Sequence, residues 1–303
     1  MRVSATSALA ATLLVALACA GEAAAHSRLG PYQNMATAAR DWQTPYRLAR
    51  GVPMVDYGAF EARNPVATAQ YGLASWSLWK RYGEPYRLRA ALRVSDFLVS
   101  TQRAGGVWTY GFDYASPGTD MALTAPWSSA LAQGQGISLL RRAYAHTGRM
   151  RYLRAARRAL APLGRDVADG GLTRRHDGGI AFEEYPSERP SLPLNGHLQT
   201  LVGLWDLSDV SPRAAELFRR GVRTAARIVG EYDAGDGSSL YNLAHEVGFA
   251  PVLAPPAYHA AHVRLLGLVD RLSPHRAFRR WARHWKPRAV AVPATRLPPT
   301  ARP

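Results

Sequence analysis

A pair of helical segments recurs about every 60 residues along the chain, and this period limits the possible folds. In each pair, apolar residues return at helical spacing and a short turn separates the two segments. The second segments resemble one another, since YRLRAA at 86–91 returns as YLRAA at 152–156. Such a period predicts helical hairpins that stack or close into a ring. The predicted pairs cover residues 65–81 and 85–102, 127–146 and 150–163, 192–207 and 212–229, and 256–272 and 274–285.

The two helices of a pair differ in composition, which predicts their positions in such a ring. Second helices are amphipathic and rich in arginine, as in AAELFRRGVRTAARIV at 214–229, which suits an outer ring with one wet face. First helices have few charges and suit an inner ring, and long loops such as GVWTYGFDYASPG at 106–118 precede them. We therefore predict an all-α fold: an α/α toroid, or incomplete barrel, of about four helix hairpins with long loops on its inner face.

The N-terminal residues 1–25 have the pattern of a secretory signal. A positive residue near the start is followed by an apolar run too short for a comfortable membrane span and by small residues at 23–25. The single cysteine, Cys19, lies inside this segment within an imperfect lipobox, so a lipid anchor is an alternative. Cleavage after Ala25 would leave no thiol, which excludes disulfides and cysteine chemistry in the mature chain. These features predict an exported protein, either secreted or held in the cell envelope.

The rest of the chain divides into a polar connector at 26–62, a helical domain at 63–287 and a tail at 288–303. The tail is rich in proline and alanine, and we expect it to be disordered or to act as a tether. A net charge of +16 favours an anionic partner such as an acidic polysaccharide. The secretory signal and the absence of a nucleic-acid-binding motif argue against nucleic acid. We expect membrane association only through the signal or the possible anchor.

The segment FEEYPSERPSLPLNGHLQTLVGLWDL at 182–207 is the best candidate for chemistry. Glu183, Glu184 and Tyr185 precede two prolines that keep the loop out of helical conformation. From Leu192 onward, apolar residues return at helical spacing. Carboxyl groups beside a phenol on a stiff loop that leads into a helix suggest proton transfer, and a turn-and-capping cluster is the alternative interpretation.

Five segments of the chain resemble the C-terminal domain of the D-glucuronyl C5-epimerases, enzymes that invert C5 of a uronic acid within a glycan. The resemblance spans roughly residues 55–287, and it implies the same helical toroid. It further implies an isomerase that acts on glucuronic acid-type residues of an acidic polysaccharide by removing the C5 proton and returning one, with no cofactor. The segments are NPVATAQYGLASW (64–76), APWSSALAQGQGISLLRRAY (125–144), EEYPSERPSLPLNG (183–196), YDAGDGSSLYNLAH (232–245) and PPAYHAAHVRLLGLVDRLSP (255–274).

The resemblance also assigns site residues. Tyr185, Tyr241 and Tyr258 match the positions that carry catalysis in the family, and Glu184 matches the acidic residue beside the first of them. We interpret Tyr185 and Tyr258 as serving the two faces of the sugar, with Glu184 as an alternative base and Tyr241 as an acid or carboxylate donor. No metal is expected, because His259 and His262 have no third ligand at a suitable spacing. The expected substrate-binding residues are Asn195, Gln133, Gln135, His259, His262, Trp108 and Trp127.

Two departures from the family pattern leave other activities open. The family usually has an aspartate at the position of Asn242 and an arginine at that of Ala244, so both charges are missing here; Arg264 or Arg141 are possible substitutes. Longer members also carry β-rich material ahead of the helical domain. The alternatives are a polysaccharide lyase, a glycoside hydrolase with Glu183 or Glu184 as general acid, and a non-catalytic binder of acidic glycans.

Overall fold

The computed structural model describes residues 46–116 and 119–285, together with Leu29. The predicted signal peptide, Cys19, most of the first half of the connector and the proline- and alanine-rich tail lie outside the described residues. The predictions for these segments therefore stay predictions. Within the described residues, no helix is long and apolar enough to cross a bilayer.

The predicted helix pairs are confirmed, with small shifts at their ends. The first helix begins at Pro65, where Asn64 accepts a hydrogen bond from N of Ala67, and it ends at Gly83 in the left-handed conformation. The third begins at Ala130, because residues 127–128 form a strand instead of a first turn. The helices are α1 (Pro65–Tyr82), α2 (Pro85–Thr101), α3 (Ala130–Thr147), α4 (Met150–Arg158), α5 (Leu160–Leu163), α6 (Leu194–Leu207), α7 (Pro212–Ile228), α8 (Pro256–Leu272) and α9 (Arg276–His284).

The first helices of the pairs form the inner row of the fold, as predicted. Helix α3 packs against α1 and α6, α6 packs against α8, and each of these four helices packs against the helix that follows it. A Cβ atom at Gly134 of α3 would lie 2.7 Å from the Cα of Thr200 of α6, so these two helices pack backbone against backbone. This architecture confirms the all-α toroid of helix hairpins.

Buried ion pairs join the two central helices. Asp206 of α6 accepts from Oγ of Ser138 and from Nη1 of Arg142, both on α3 and both at 2.5 Å. Arg141 of α3 pairs with Asp209, which follows α6, at 2.8 Å. Because a buried charge is costly without a partner, these pairs hold α3 and α6 in one register.

Short antiparallel strands lie in the segments that precede and connect the helices. The connector predicted at 26–62 contains a three-stranded sheet with the order β1–β2–β3, whose second strand packs against α1. Runs of two to five residues are too short for a clear alternating pattern, which is why the sequence did not reveal them. The strands are β1 (Tyr46–Ala49), β2 (Val52–Asp56), β3 (Glu61–Ala62), β4 (Thr109–Tyr110), β5 (Tyr114–Ala115), β6 (Ala122–Leu123), β7 (Trp127–Ser128), β8 (Thr173–His176) and β9 (Gly179–Phe182).

Candidate active site

A cavity of about 330 Å³ lies where α1, α6 and α8 meet the loops that precede the inner helices. Its volume is at the lower end of the range for small-molecule sites, about 300–1,000 Å³. Of the residues predicted from the sequence, it brings together Glu184, Tyr185, Asn195, Tyr258 and Trp127. The loop after β9, the start of α6 and the start of α8 therefore converge on one space.

Glu183 holds the loop that follows β9. Its carboxylate accepts from Oγ of Ser191 at 2.9 Å and from N of Leu192 at 3.1 Å, and it pairs with Nε of Arg174 at 3.2 Å. These bonds stabilise Leu192 in the left-handed region, at a φ of 48°, which is unfavourable for a residue with a Cβ. Burial raises the pKa of Glu183, and Arg174 and the bonds from Ser191 and Leu192 oppose that rise. The carboxylate of Glu183 is thus occupied by contacts that hold the loop, and the carboxyl group of Glu184 faces the cavity.

Glu184 is a buried carboxyl group that titrates near neutrality. Its side chain is packed against Gly196, it accepts from Nδ2 of Asn195 at 3.2 Å, and the residue is 6% exposed. Burial raises the pKa of Glu184 to about 7; the charge of Glu183 adds to the rise, and hydrogen bonds from Tyr185 and Asn195 oppose it. A carboxyl group with such a pKa can both accept and donate a proton at neutral pH.

The three tyrosines singled out from the sequence lie next to one another. The hydroxyl oxygens of Tyr185 and Tyr241 are 3.5 Å apart, and the ring of Tyr241 meets that of Tyr258 edge to face with 5.2 Å between centroids. Burial, and then the negative charge of Glu184, raise the pKa of Tyr185 and of Tyr241 well above the usual value. The same causes raise the pKa of Tyr258 to about 12. The phenols therefore stay neutral where Glu184 ionises.

An aromatic wall faces these groups. Trp127 stacks on Tyr110 with ring centroids 3.8 Å apart, and its Nε1 donates to the carbonyl of Phe112 at 2.9 Å. Tyr114 also lines the cavity, stacks against both Trp127 and Tyr185, and is 36% exposed. Stacked rings of this kind offer a flat apolar face with a polar edge, which suits the face of a sugar ring.

Some cavity residues were not predicted from the sequence. Asn64, Tyr57, Tyr114 and Gln199 all line the cavity, and Nδ2 of Asn64 donates to the hydroxyl of Tyr57 at 2.9 Å. Gln199 follows Asn195 by four residues on α6, a spacing that places both on one helix face and that could have identified it. Tyr57 gave no such signal, because it follows the short strand β2, and Asn64 is placed by its position as the N-cap of α1.

Gln133 and Trp108 lie away from the cavity. Nε2 of Gln133 donates to the carbonyls of Gly106 at 2.8 Å and Ala159 at 3.2 Å, and its Oε1 accepts from N of Trp108. The indole of Trp108 donates to the carbonyl of Leu98 at 2.8 Å inside the core. These bonds satisfy the backbone of the loop that carries the aromatic wall, and neither residue lines the cavity. Their predicted role in binding sugar stays a prediction.

Gln135 and the two histidines also lie behind the cavity wall. Nε2 of Gln135 donates to Oε1 of Gln199, so Gln135 lies behind Gln199, which lines the cavity. Nε2 of His259 donates to the carbonyl of Trp285 at 2.7 Å, and Oγ of Ser239 lies 2.9 Å from Nδ1 of both His259 and His262. Burial lowers the pKa of His262 to about 3. The histidines thus anchor α8 to its neighbours and do not line the cavity.

None of the described residues that line the cavity carries a positive charge. Ala244, at the position where the family has an arginine, is fully buried. Arg141 is paired with Asp209, and Arg264 is exposed on α8, so neither reaches the cavity as a substitute. The donors that face the cavity from the described residues are amides and phenols.

The ring of helix hairpins defines the class of the protein, an α/α toroid, and solved structures share it. Cellobiose 2-epimerase from Spirochaeta thermophila aligns over 74% of this chain and 58% of its own, with a TM-score of 0.52 and 12% identity. A family 76 glycoside hydrolase from a bovine Bacteroides thetaiotaomicron strain aligns over 75% of this chain and 48% of its own, with a TM-score of 0.50 and 14% identity. At such identities the likeness establishes the fold alone.

The chain belongs to the family described as D-glucuronyl C5-epimerase C-terminus, whose model matches residues 102–287. It is 35% identical over 207 residues to a D-glucuronyl C5-epimerase of Caenorhabditis elegans, covering 63% of this chain and 33% of that protein. It is 30% identical over 145 residues to an uncharacterized protein of Methanocaldococcus jannaschii, covering 46% of each. The chain thus spans less than half the length of either relative. The resemblance noted in the sequence is confirmed.

Proposed function

We propose that this protein is a uronyl C5-epimerase acting on glucuronic acid-type residues of an acidic polysaccharide. The observation that carries the proposal is a carboxyl group that ionises near neutrality and faces the same cavity as neutral phenols. Membership of the family supports the reaction class, and the epimerase of Caenorhabditis elegans supports the substrate class.

The different pKa values of the cavity groups suggest how the roles are divided. Glu184 is the better base, because it ionises near pH 7 while the phenols stay protonated. It would take the C5 proton, and the electrons of the broken C–H bond would pass into the uronate carboxyl group as an enolate. Tyr258 would then donate its proton to C5 from the opposite face and recover one from solvent, since the residue is 43% exposed. Glu184 would release the proton taken from C5 to solvent once the product leaves.

The remaining polar groups would hold the substrate. Tyr185, backed by the hydroxyl of Tyr241, can donate to the developing enolate oxygen. The amides of Asn195 and Gln199 can donate to the uronate carboxyl group or to ring hydroxyls. Tyr114, the exposed ring of the aromatic wall, would stack on the sugar, and Trp127 and Tyr110 would support it from behind.

A two-carboxylate hydrolase is a poorer fit to this cavity. That mechanism needs a pair of carboxyl groups on either side of the glycosidic bond. Glu184 is the only carboxyl group among the described residues that line the cavity, because Glu183 is used within its loop. A lyase starts from the same proton removal and is separated from an epimerase by its product.

The test is isotope exchange at C5. The full chain is incubated with polyuronates in deuterated water, and deuterium at C5 is measured by NMR with chain length and ultraviolet absorbance followed in parallel. We expect deuterium without cleavage, and Tyr185→Phe and Glu184→Gln should slow exchange by about a hundredfold or more. Tyr86→Phe is the matched control, because Tyr86 is an exposed tyrosine on α2 whose hydroxyl contacts Glu84.

Each alternative gives a different result in this assay. An unsaturated product that absorbs in the ultraviolet would identify a lyase, and new reducing ends without deuterium would identify a hydrolase. Exchange that proceeds at full rate in both variants would show that the cavity is not the active site.

A second candidate function is the non-catalytic binding of acidic glycans. The absence of a positive charge among the described cavity residues weighs more against catalysis than against binding, since a bound uronate carries one negative charge and its enolate carries two. A binder would show glycan affinity that survives Tyr185→Phe and no deuterium at C5 in the native protein. Export remains our inference from the pattern of residues 1–25, which cell fractionation and sequencing of the mature N-terminus would test.

A further inference from the structure

Three ligating side chains meet outside the cavity. His176 ends strand β8, Glu231 lies in the helical turn Val229–Tyr232, and Glu246 lies in the helical turn Ala244–Val247. Nε2 of His176 is 2.9 Å from Oε2 of Glu231 and 3.9 Å from Oε2 of Glu246. One ligand atom from each of the three residues lies within 4.8 Å of the other two. Three separate segments of chain thus present one nitrogen and two carboxylates to a common point.

Among the described residues of this arginine-rich chain, the two glutamates of the cluster contact a histidine and not an arginine. The chain has 38 lysines and arginines against 22 acidic residues, and many of its carboxylates pair with arginine. Glu216, for example, pairs with both Arg213 and Arg220. Within the described part of the chain, Glu231 and Glu246 both contact His176 and neither forms an ion pair with a lysine or an arginine. Two neighbouring carboxylates therefore share a single imidazole, which leaves a negative site that a cation would neutralise.

We propose that His176, Glu231 and Glu246 bind a divalent transition-metal ion such as Zn²⁺. An imidazole with two carboxylates is a donor set that such ions accept, whereas Ca²⁺ prefers oxygen alone. With metal–ligand bonds of about 2.0–2.2 Å, ligand atoms sit about 3–4 Å apart, close to the separations found here. The three side chains are between 20% and 37% exposed, so an ion can enter and water can complete its coordination.

The position of the cluster gives the ion a structural role. His176 belongs to the β8–β9 hairpin, which leads directly into Glu184 and Tyr185. Tyr241 lies in the chain between Glu231 and Glu246. An ion held by all three ligands would therefore tie together the two segments whose phenols lie 3.5 Å apart. The proposal needs no substrate and stands independently of the epimerase proposal.

The experiment measures metal binding to tag-free full-length protein after removal of metal with EDTA. Isothermal titration with Zn²⁺ should show one saturable site, and Co²⁺ should give a visible absorption band with nitrogen ligation. His176→Gln, Glu231→Gln and Glu246→Gln should each weaken binding by about tenfold or more. Glu216→Gln is the matched control, because it neutralises an exposed glutamate outside the cluster and should leave binding unchanged.

A second measurement uses stability. At one Zn²⁺ concentration, Zn²⁺ should raise the melting temperature of the native protein and of Glu216→Gln by similar amounts, and it should raise that of Glu246→Gln by clearly less. Circular dichroism establishes that each variant is folded, and the Co²⁺ spectrum of the native protein reports on the ligands without any variant. The absence of saturable binding, or equal binding by the native protein and the three cluster variants, would overturn the proposal.

Discussion

Replacing Glu184 with glutamine should stabilise the protein above neutral pH, because the native carboxylate is buried at a cost. The carboxyl group has a pKa of 4.5 in the unfolded chain and about 7 in the folded protein. The folded state therefore holds its proton more tightly, and stability falls as pH rises from 4.5 through 7. Glutamine cannot ionise, and its amide oxygen can still accept from Nδ2 of Asn195.

The size of the effect follows from the two pKa values. Ionising Glu184 costs about 3 kcal/mol of folding free energy at pH 8 and about 1 kcal/mol at pH 5. Urea unfolding of both proteins at pH 5 and pH 8 measures this directly. Glu184→Gln should be the more stable at pH 8 by about 3 kcal/mol, and its advantage should shrink by about 2 kcal/mol at pH 5.

The control separates this effect from a general change of surface charge. Glu61→Gln removes an exposed glutamate that pairs with Arg47 and should change stability by less than about 1 kcal/mol at either pH. If the advantage of Glu184→Gln is the same at both pH values, Glu184 does not have a raised pKa. The argument that makes it the base would then fail, whatever its effect on turnover.

Two further substitutions test the parts of the fold that position the site. Glu183→Gln should lower the free energy of unfolding in urea by about 2–4 kcal/mol and slow any C5 exchange. The substitution breaks the ion pair with Arg174 and can place an amide N–H against the backbone N–H of Leu192. Native-like stability and exchange would show that other contacts hold the loop. Asp206→Ala should cost about 3–5 kcal/mol, because it removes the buried carboxylate that pairs with Arg142, and a loss as small as that of Glu61→Gln would contradict this reasoning.

The helices could be predicted from the sequence because their signals are local. Apolar residues at helical spacing, prolines at the first turn of α1, α2, α7 and α8, and a glycine after α1 mark where helices begin and end. The low charge of the first helices and the arginine content of the second predicted the inner and outer rows. The EEYP and YNLAH motifs contain Glu184, Tyr185 and Tyr241, which the fold brings close together.

The tertiary structure alone decided which polar groups face the cavity. Glu183 and Glu184 are adjacent in the chain. Glu183 accepts hydrogen bonds from Ser191 and Leu192, whereas Glu184 faces the cavity beside the tyrosines. Gln133 and Gln199 are both amides on inner helices, and only the second lines the cavity. The physical reason is that helix periodicity and residue type act over a few neighbours. Which side chain is desolvated, paired or left free depends on contacts between segments far apart in sequence, such as β9, α6 and α8.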